Sequence, residues 1–151
     1  MKLTIAAVGV LRNRELNSLY ERYISRVPWS VVLHEIKSIH NGSVSERHNF
    51  EEKIITKKLI RCSIFIVLDE TGEQFSSGVF ANKLKKWQEE KINLGFAIGG
   101  ADGTSKTLRE KATHVLSFGA MTWPHLLVRV MLAEQLYRAS TIITRHPYHR
   151  A

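Results

Sequence analysis

The sequence Ser63-Ile-Phe-Ile-Val-Leu68 is apolar at every position after the first. A strand without polar alternation is typical of a parallel sheet that helices cover on both faces. Apolar runs of strand length recur along the chain and alternate with longer amphipathic segments, which indicates an α/β fold. The predicted strands are 3–10, 31–36, 63–68, 94–98 and 114–117, and the predicted helices are 15–26, 45–61, 77–91, 105–111 and 124–140.

Length and composition predict one compact domain over residues 1–151. The chain has 44% hydrophobic and 24% charged residues, which is typical of a packed globule and excludes a disordered or collagen-like chain. The opening apolar run stops at Leu11 with no cleavage pattern after it, and no stretch approaches the roughly 20 apolar residues of a membrane span. The lone Cys62 excludes an internal disulfide and a cysteine-based zinc site. We therefore expect a cytoplasmic protein without a metal.

The net charge of +8 favours a polyanionic partner. Part of this charge lies in the second predicted helix, at Lys53, Lys57, Lys58 and Arg61. Such a run is more often a solvated helix face, and a phosphate-binding face is the alternative.

The closing helix, 124–140, is apolar around most of its circumference. A helix of that composition is buried. Burial at a subunit interface and burial within its own chain are equally compatible with the pattern.

Two loops after neighbouring strands carry small residues. Phe96-Ala-Ile-Gly-Gly-Ala-Asp-Gly103 runs from a strand toward a helix near Ser105, where glycines and free N–H groups would let a ligand approach the backbone. Its spacing is not the G-x-G-x-x-G of dinucleotide-binding proteins, which disfavours a nicotinamide-dependent oxidoreductase. The second loop, Ser117-Phe-Gly-Ala-Met-Thr-Trp-Pro124, would form a cleft with the first that suits an adenine-bearing ligand.

The C-terminal tail, Thr144-Arg-His-Pro-Tyr-His-Arg-Ala151, concentrates arginine, histidine and tyrosine with no acidic residue. Arginine binds phosphate, tyrosine stacks on an unpaired base, and histidine moves a proton near neutral pH. The cluster as a whole predicts contact with RNA.

The two small-residue loops and the C-terminal tail, in this order, resemble those of the ribosomal RNA large subunit methyltransferase H family. These are small SPOUT-class enzymes that methylate a pseudouridine in 23S rRNA. The resemblance spans the chain and implies an α/β fold with a C-terminal trefoil knot, a mostly parallel sheet and helices on both faces. It also implies a homodimer, S-adenosylmethionine as cofactor, and 23S rRNA within the large subunit or the 70S ribosome as substrate. It is sharpest at Pro124-His125, Leu127-Val-Arg-Val130, Ala133-Glu134, Leu136-Tyr-Arg-Ala139 and His146-Pro-Tyr-His-Arg150.

The resemblance also implies roles for individual residues. The catalytic or RNA-side residues would be His149, Arg150, Tyr148 and Arg129, with His125 as second choice. The cofactor would be held by Leu68, Gly100, Gly119, Ala120, Met121, Thr122, Trp123 and Pro124. The chain departs from commoner family forms at Ala101-Asp102, Leu126 and Trp123, which affects the shape of the cofactor loops.

The expected substrate sets the mechanism. The imide N3–H of pseudouridine must lose its proton before N3 can attack a methyl group in line. We expect a neutral histidine, His149 first, to accept or relay that proton, while Arg150 and Arg129 stabilise the imide anion. Neither a metal nor a covalent nucleophile is required, and Cys62 is predicted to be a core cysteine.

Two alternatives remain at this point. One is a SPOUT methyltransferase that acts on another RNA, although the resemblance implies that such tRNA enzymes append a separate RNA-binding domain. The other is a non-catalytic RNA-binding module, which would leave the two loops without a role.

Overall fold

The computed structural model describes residues 1–149, in which five strands alternate with five helices. The strands are β1 (Lys2–Val8), β2 (Ser30–Ile36), β3 (Ile64–Gln74), β4 (Asn93–Ile98) and β5 (His114–Ser117). The helices are α1 (Arg14–Ile24), α2 (Val44–Leu59), α3 (Ser77–Glu89), α4 (Lys106–Lys111) and α5 (His125–Ile143). All strand pairs are parallel and the order across the sheet is β2-β1-β4-β3-β5. The predicted α/β class is confirmed.

Helices cover both faces of the sheet. Along β1, Ile5 and Ala7 face a core that α3 and α5 complete, while Ala6 and Val8 face a smaller core that α2 and α4 complete. All four side chains are fully buried. In β3, Ile66 belongs to the first core and its neighbour Val67 to the second, as the continuous apolar run predicts.

Several element bounds differ from the prediction for local reasons. β1 ends at Val8 because Gly9 turns the chain with a φ of 93°. α2 begins one residue before the predicted start because Ser43 caps it: the Ser43 hydroxyl accepts from the Glu46 N–H while the Glu46 carboxylate accepts from the Ser43 N–H. Likewise Ser76 caps α3. β3 continues to Gln74 instead of ending at residue 68.

The extension of β3 creates a close crossing with β5. Leu116 of β5 pairs with Leu68 and again with Glu73, because the register shifts between those two residues. Segment 69–72 of β3 therefore bulges away from β5, and Glu73 then pairs with β5 again. A Cβ on Gly72 would lie 2.7 Å from backbone atoms of Val115 and Leu116, so the crossing accommodates glycine alone.

The closing helix α5 is covered on one side only. Leu132 and Leu136 are fully buried within the chain, where α5 packs against α1 and α3. Leu127 and Met131 lie away from these two leucines on the helix and are partly exposed. Residues 1–149 thus leave an apolar strip of α5 uncovered. Neither α5 nor any other helix within residues 1–149 is long and apolar enough to cross a membrane.

Candidate functional site

A cavity of about 810 Å³ lies at the carboxyl ends of β3, β4 and β5, where open α/β sheets bind ligands. Seven of the eight residues predicted to bind a cofactor line it, and the eighth, Ala120, is an exposed neighbour of theirs. The seven are Leu68, Gly100, Gly119, Met121, Thr122, Trp123 and Pro124. The structure therefore brings the two loops together in one cleft.

The glycine turn, residues 99–103, keeps its shape because three of its five residues are glycine. The Gly103 N–H donates to the Gly100 carbonyl at 3.0 Å, and Gly103 has a φ of 76°. A Cβ on Gly99 would overlap the Gly103 carbonyl oxygen, and one on Gly100 would lie 2.9 Å from Cγ1 of Val8. The turn thus offers backbone that a ligand can approach closely.

Asp69 ties the glycine turn to α4. Its carboxylate accepts from the Thr104 hydroxyl and lies 3.3 Å from Nη1 of Arg109. Burial raises the pKa of Asp69, but hydrogen bonds from Thr104 and Thr71 outweigh burial, so the net pKa lies below its ordinary value. Asp69 is therefore ionised at neutral pH at the cavity wall. An acidic residue directly after a buried strand is the sequence signal for this network, which was not among the expectations.

The first turns of α2 also hold the glycine turn. Arg47 forms a bidentate ion pair with Asp102, with Nε–Oδ2 and Nη2–Oδ1 distances of 2.7 and 3.1 Å. Nε2 of His48 lies 3.1 Å from the Asp102 carbonyl oxygen. The first turns of α2 therefore hold the glycine turn in place through its Asp102.

The next turn of α2 continues these contacts. Glu51 is only 6% exposed and its carboxylate approaches the Gly100 backbone, while burial raises its pKa. Glu52 accepts from the Ser105 hydroxyl and the Lys111 ammonium, each at 2.6 Å. We call these four α2 residues the α2 seam: Arg47, His48, Glu51 and Glu52. Sequence reasoning missed the seam because about 50 residues separate it from the segment it binds.

The loop after β5 is fixed at its start and exposed at its end. The Ser117 hydroxyl accepts from the Gly119 N–H at 3.0 Å and donates to the Gly119 carbonyl at 2.8 Å. Gly119 has a φ of 128°, and a Cβ there would meet no atom within 4 Å. Met121 and Trp123 are 75% and 41% exposed at the cavity rim. Large apolar side chains at an open rim suit a ligand or partner that covers them.

His125 begins α5 on the cavity wall. Its ring packs against Gly9, where a Cβ would lie 2.9 Å from Nε2. Burial, and then the charge of Arg129, lower the pKa of His125 below its ordinary value. The ring is therefore neutral at pH 7 and able to accept a proton.

Arg129 is wholly buried. Its Nη1 donates to Oε1 of Glu35 and its Nη2 donates to the Gly9 carbonyl at 2.8 Å. The Leu11 N–H donates to the same Glu35 oxygen at 2.8 Å, so the guanidinium joins α5 to the segment that follows β1. Arg129 is thus enclosed by its own chain in this structure, and its contact with RNA stays a prediction from the resemblance.

Replacing Arg129 with methionine is expected to lower the free energy of unfolding by about 2–3 kcal/mol, because Glu35 and the Gly9 carbonyl lose their donor. Urea unfolding followed by circular dichroism measures the loss. Glu35→Gln is the milder control, since an amide oxygen still accepts from Arg129. An Arg129→Met protein as stable as the parent would contradict this structural role.

Tyr148 packs on the outer side of α5. Its hydroxyl donates to Oε1 of Glu134 at 3.1 Å, and its ring lies 4.7 Å from the Tyr137 ring and 5.0 Å from the Arg138 guanidinium. Burial, followed by the hydrogen bond with Tyr23 and the charge of Glu134, raises the pKa of Tyr148 to about 12. The phenol is therefore protonated at neutral pH and serves as a donor.

His149 lies beside Tyr148 in the same tail. Its Nδ1 is 3.4 Å from Nη1 of Arg138, and because a guanidinium only donates, Nδ1 is the acceptor in this contact. The predicted role of Arg150 falls on a residue outside the described part of the chain.

Residues 144–149 of the tail do not line the cofactor cavity of their own protomer. The tail contacts Glu134, which lines a second cavity of about 550 Å³ between α1 and α5. Leu116, Phe118 and Gly119 line both cavities. Tyr148 therefore contacts a wall residue of the second cavity, whereas seven of the predicted cofactor residues line the first, and Gly119 among them is shared by both.

Cys62 is half-buried beside the smaller core, where burial raises the pKa of its thiol. Within residues 1–149, no three side chains of His, Cys, Asp or Glu come close enough together to hold a metal ion.

Comparison with known proteins identifies the family. Residues 1–149 match the model of the predicted SPOUT methyltransferase family. Proteins named ribosomal RNA large subunit methyltransferase H are 40% identical in Rhodospirillum centenum and 41% in Rhodopseudomonas palustris, each over 100% of both chains. One from Cereibacter sphaeroides is 42% identical over 99% of both chains. A probable methylase family protein from Haemophilus influenzae shares the fold, with a TM-score of 0.56, 12% identity, and coverage of 97% of this chain and 67% of that one. The chain therefore belongs to the SPOUT methyltransferases and, within them, to the ribosomal RNA large subunit methyltransferase H family.

Proposed function

We propose that the protein transfers a methyl group from S-adenosylmethionine to N3 of a pseudouridine in 23S rRNA, on the assembled ribosome in the cytoplasm. One observation carries the proposal: the glycine turn and loop 119–124 meet in a single cavity at the carboxyl ends of the strands. The full-length relatives, named for a large-subunit ribosomal RNA, support the choice of substrate.

The cavity fits a cofactor of this class. Its volume of about 810 Å³ lies within the usual range for small-molecule sites. Leu68, Gly100 and the loop residues 119–124 would hold the nucleoside and amino-acid parts, while the ionised Asp69 would favour a cationic group. When bound, S-adenosylmethionine supplies a methyl group on a positively charged sulfur.

The protein's own residues then have to orient the base and remove its imide proton. His149 is the first candidate acceptor, and the neutral His125 on the cavity wall is the second. Tyr148 would donate a hydrogen bond, and Arg150 would stabilise the imide anion. Arg129 would act through position, by fixing the start of α5 and hence His125.

We propose a homodimer as the working form. The uncovered strip of α5 adjoins the cavity between α1 and α5, whose lining includes Leu19, Val130 and Met131, and a second copy of the chain could cover both. Since residues 144–149 do not line the cofactor cavity of their own protomer, a second protomer would also complete the site. Gel filtration with light scattering tests this, and a monomer at micromolar concentration would overturn it.

We further propose that residues 1–151 are one domain with a C-terminal trefoil knot. The crossing at Gly72, where segment 69–72 passes over β5, supports a loop through which the chain after β5 threads. Knots are rare among folds, so the proposal depends on the family and on this crossing together.

Calorimetric titration with S-adenosylmethionine tests the proposed function at its first step. We expect saturable binding, and methyl transfer from the radiolabelled cofactor to ribosomes that lack the modification. Absence of binding at millimolar cofactor would overturn the methyltransferase proposal and favour a non-catalytic RNA-binding module.

The ion pair between Arg47 of the α2 seam and Asp102 leads to a separate prediction. Arg47→Ala is expected to raise the cofactor Kd by roughly 3-fold to 10-fold, because the glycine turn must then be ordered on binding. Asp102→Asn should have a similar effect, and the double variant should lose little more than either single one. Losses that simply add in the double variant would contradict a shared ion pair.

A further inference from the structure

The outward side of α2 carries an aligned series of one aromatic and three basic residues. Phe50, Lys53, Lys57 and Arg61 are spaced by three, four and four residues, which places Phe50, Lys53 and Lys57 along one face of α2 and Arg61 just beyond its end. Phe50 is 40% exposed, and the three basic residues are also exposed. We call these four residues the α2 stripe.

The stripe is positive without local compensation. Among residues 1–149, Lys53, Lys57 and Arg61 form no ion pair with an acidic side chain. The acidic residues of the same turns, Glu51 and Glu52, lie on the other side of α2. Glu51 contacts the Gly100 backbone, and Glu52 accepts hydrogen bonds from Ser105 and Lys111.

The positive surface continues toward the edge strand β2. Burial lowers the pKa of His34, and the charges of Lys58 and Lys2 lower it further. Lys58 and Lys2 therefore lie near His34, and the positive potential of the stripe continues over this part of the surface.

A phosphodiester chain with an unpaired base matches this arrangement. Lysine and arginine side chains neutralise phosphates, and an exposed aromatic ring stacks on a base of any identity. From residue 50 to residue 61 the stripe covers about 16 Å at 1.5 Å per residue, long enough to follow a strand of RNA over several nucleotides.

We propose that the α2 stripe is a second RNA-contacting surface, separate from the tail, that takes phosphates on Lys53, Lys57 and Arg61 and stacks an unpaired base on Phe50. The proposal rests on the proposed function, because it names ribosomal RNA as the ligand. The opposite side of α2 is the α2 seam, so RNA on the stripe is held by the same helix that fixes the glycine turn.

The test compares two double variants that remove the same charge. Lys53→Gln/Lys57→Gln changes the stripe, and Lys85→Gln/Lys86→Gln changes an exposed part of α3. Affinity for extracted 23S rRNA is measured by filter binding between about 50 and 300 mM salt. We expect the stripe variant to lose about 1.4–1.8 from the slope of log affinity against log salt, the value for two phosphate contacts, and the control to lose under a third of that.

Phe50→Ala tests the stacking contact. It should weaken RNA binding by roughly 5-fold or more with the salt slope unchanged, because no charge is removed. Equal slopes for the stripe and control variants would overturn the proposal, as would a stripe variant that loses binding to phosphatidylserine vesicles but keeps its RNA affinity. Cofactor titration distinguishes failure of this proposal from failure of the proposed function. If every variant binds S-adenosylmethionine as the parent does, a negative result for the stripe leaves the methyltransferase proposal intact.

Discussion

His149→Ala is expected to slow single-turnover methyl transfer by about 10²-fold to 10⁴-fold at neutral pH, the usual contribution of a positioned base. The tail contacts Glu134 and Arg138 on the outer side of α5, away from the cofactor cavity. Cofactor affinity should therefore stay within about 2-fold of the parent while the chemical step is lost. The rate is measured with ribosomes lacking the modification and radiolabelled cofactor.

The pH dependence distinguishes loss of a base from loss of positioning. As pH rises from about 6 to 9, more of the imide loses its proton to solvent, so the defect of His149→Ala should narrow. His40→Ala, on an exposed loop far along the chain, is the control and should match the parent. Full activity of His149→Ala across this range would show the assignment to be wrong, and His125→Ala would then be the variant to examine.

Gly99→Ala is expected to raise the cofactor Kd on the order of 10-fold to 100-fold, because displacing a binding loop by about 1 Å has effects of this size. The added Cβ would overlap the Gly103 carbonyl oxygen, which is backbone and cannot rotate away. The turn must open, and with it the wall of the cavity. Calorimetric titration with S-adenosylmethionine measures the loss.

Gly78→Ala is the matched control for this substitution. Gly78 lies in the first turn of α3, where a Cβ would be 3.9 Å from the Ser76 hydroxyl oxygen, in ordinary van der Waals contact. That change should leave cofactor affinity intact and raise stability by about 0.4–1 kcal/mol. Equal cofactor affinity for the Gly99→Ala protein and the parent would mean that the glycine turn is not part of the binding site.

Local signals predicted the architecture and the cleft. The continuous apolar run of β3 indicated a sheet covered on both faces, and the cores on either side of Ile66 and Val67 confirm it. Because carboxyl ends of parallel strands meet at one edge, the two small-residue loops were expected to form a cleft, and they do. The capping box of Ser43 and Glu46 is a local pattern as well, and it sets the start of α2.

Contacts between distant segments could not be read from local patterns. Arg129 looked like an interruption in an apolar helix, and its partner Glu35 lies 94 residues away. The pairing of Arg47 with Asp102 spans 55 residues. The position of the tail could not be predicted from the sequence either, because it depends on the contacts of Tyr148 and His149 with Glu134 and Arg138 of α5.

Mass-spectrometric mapping of 23S rRNA tests the central claim most directly. Ribosomes are taken from cells that carry the gene, from cells that lack it, and from the latter after the gene is restored. The account predicts a pseudouridine that is methylated at N3 in the first and third samples and unmethylated in the second. An identical methylation pattern in all three samples, or a loss confined to another RNA, would contradict it.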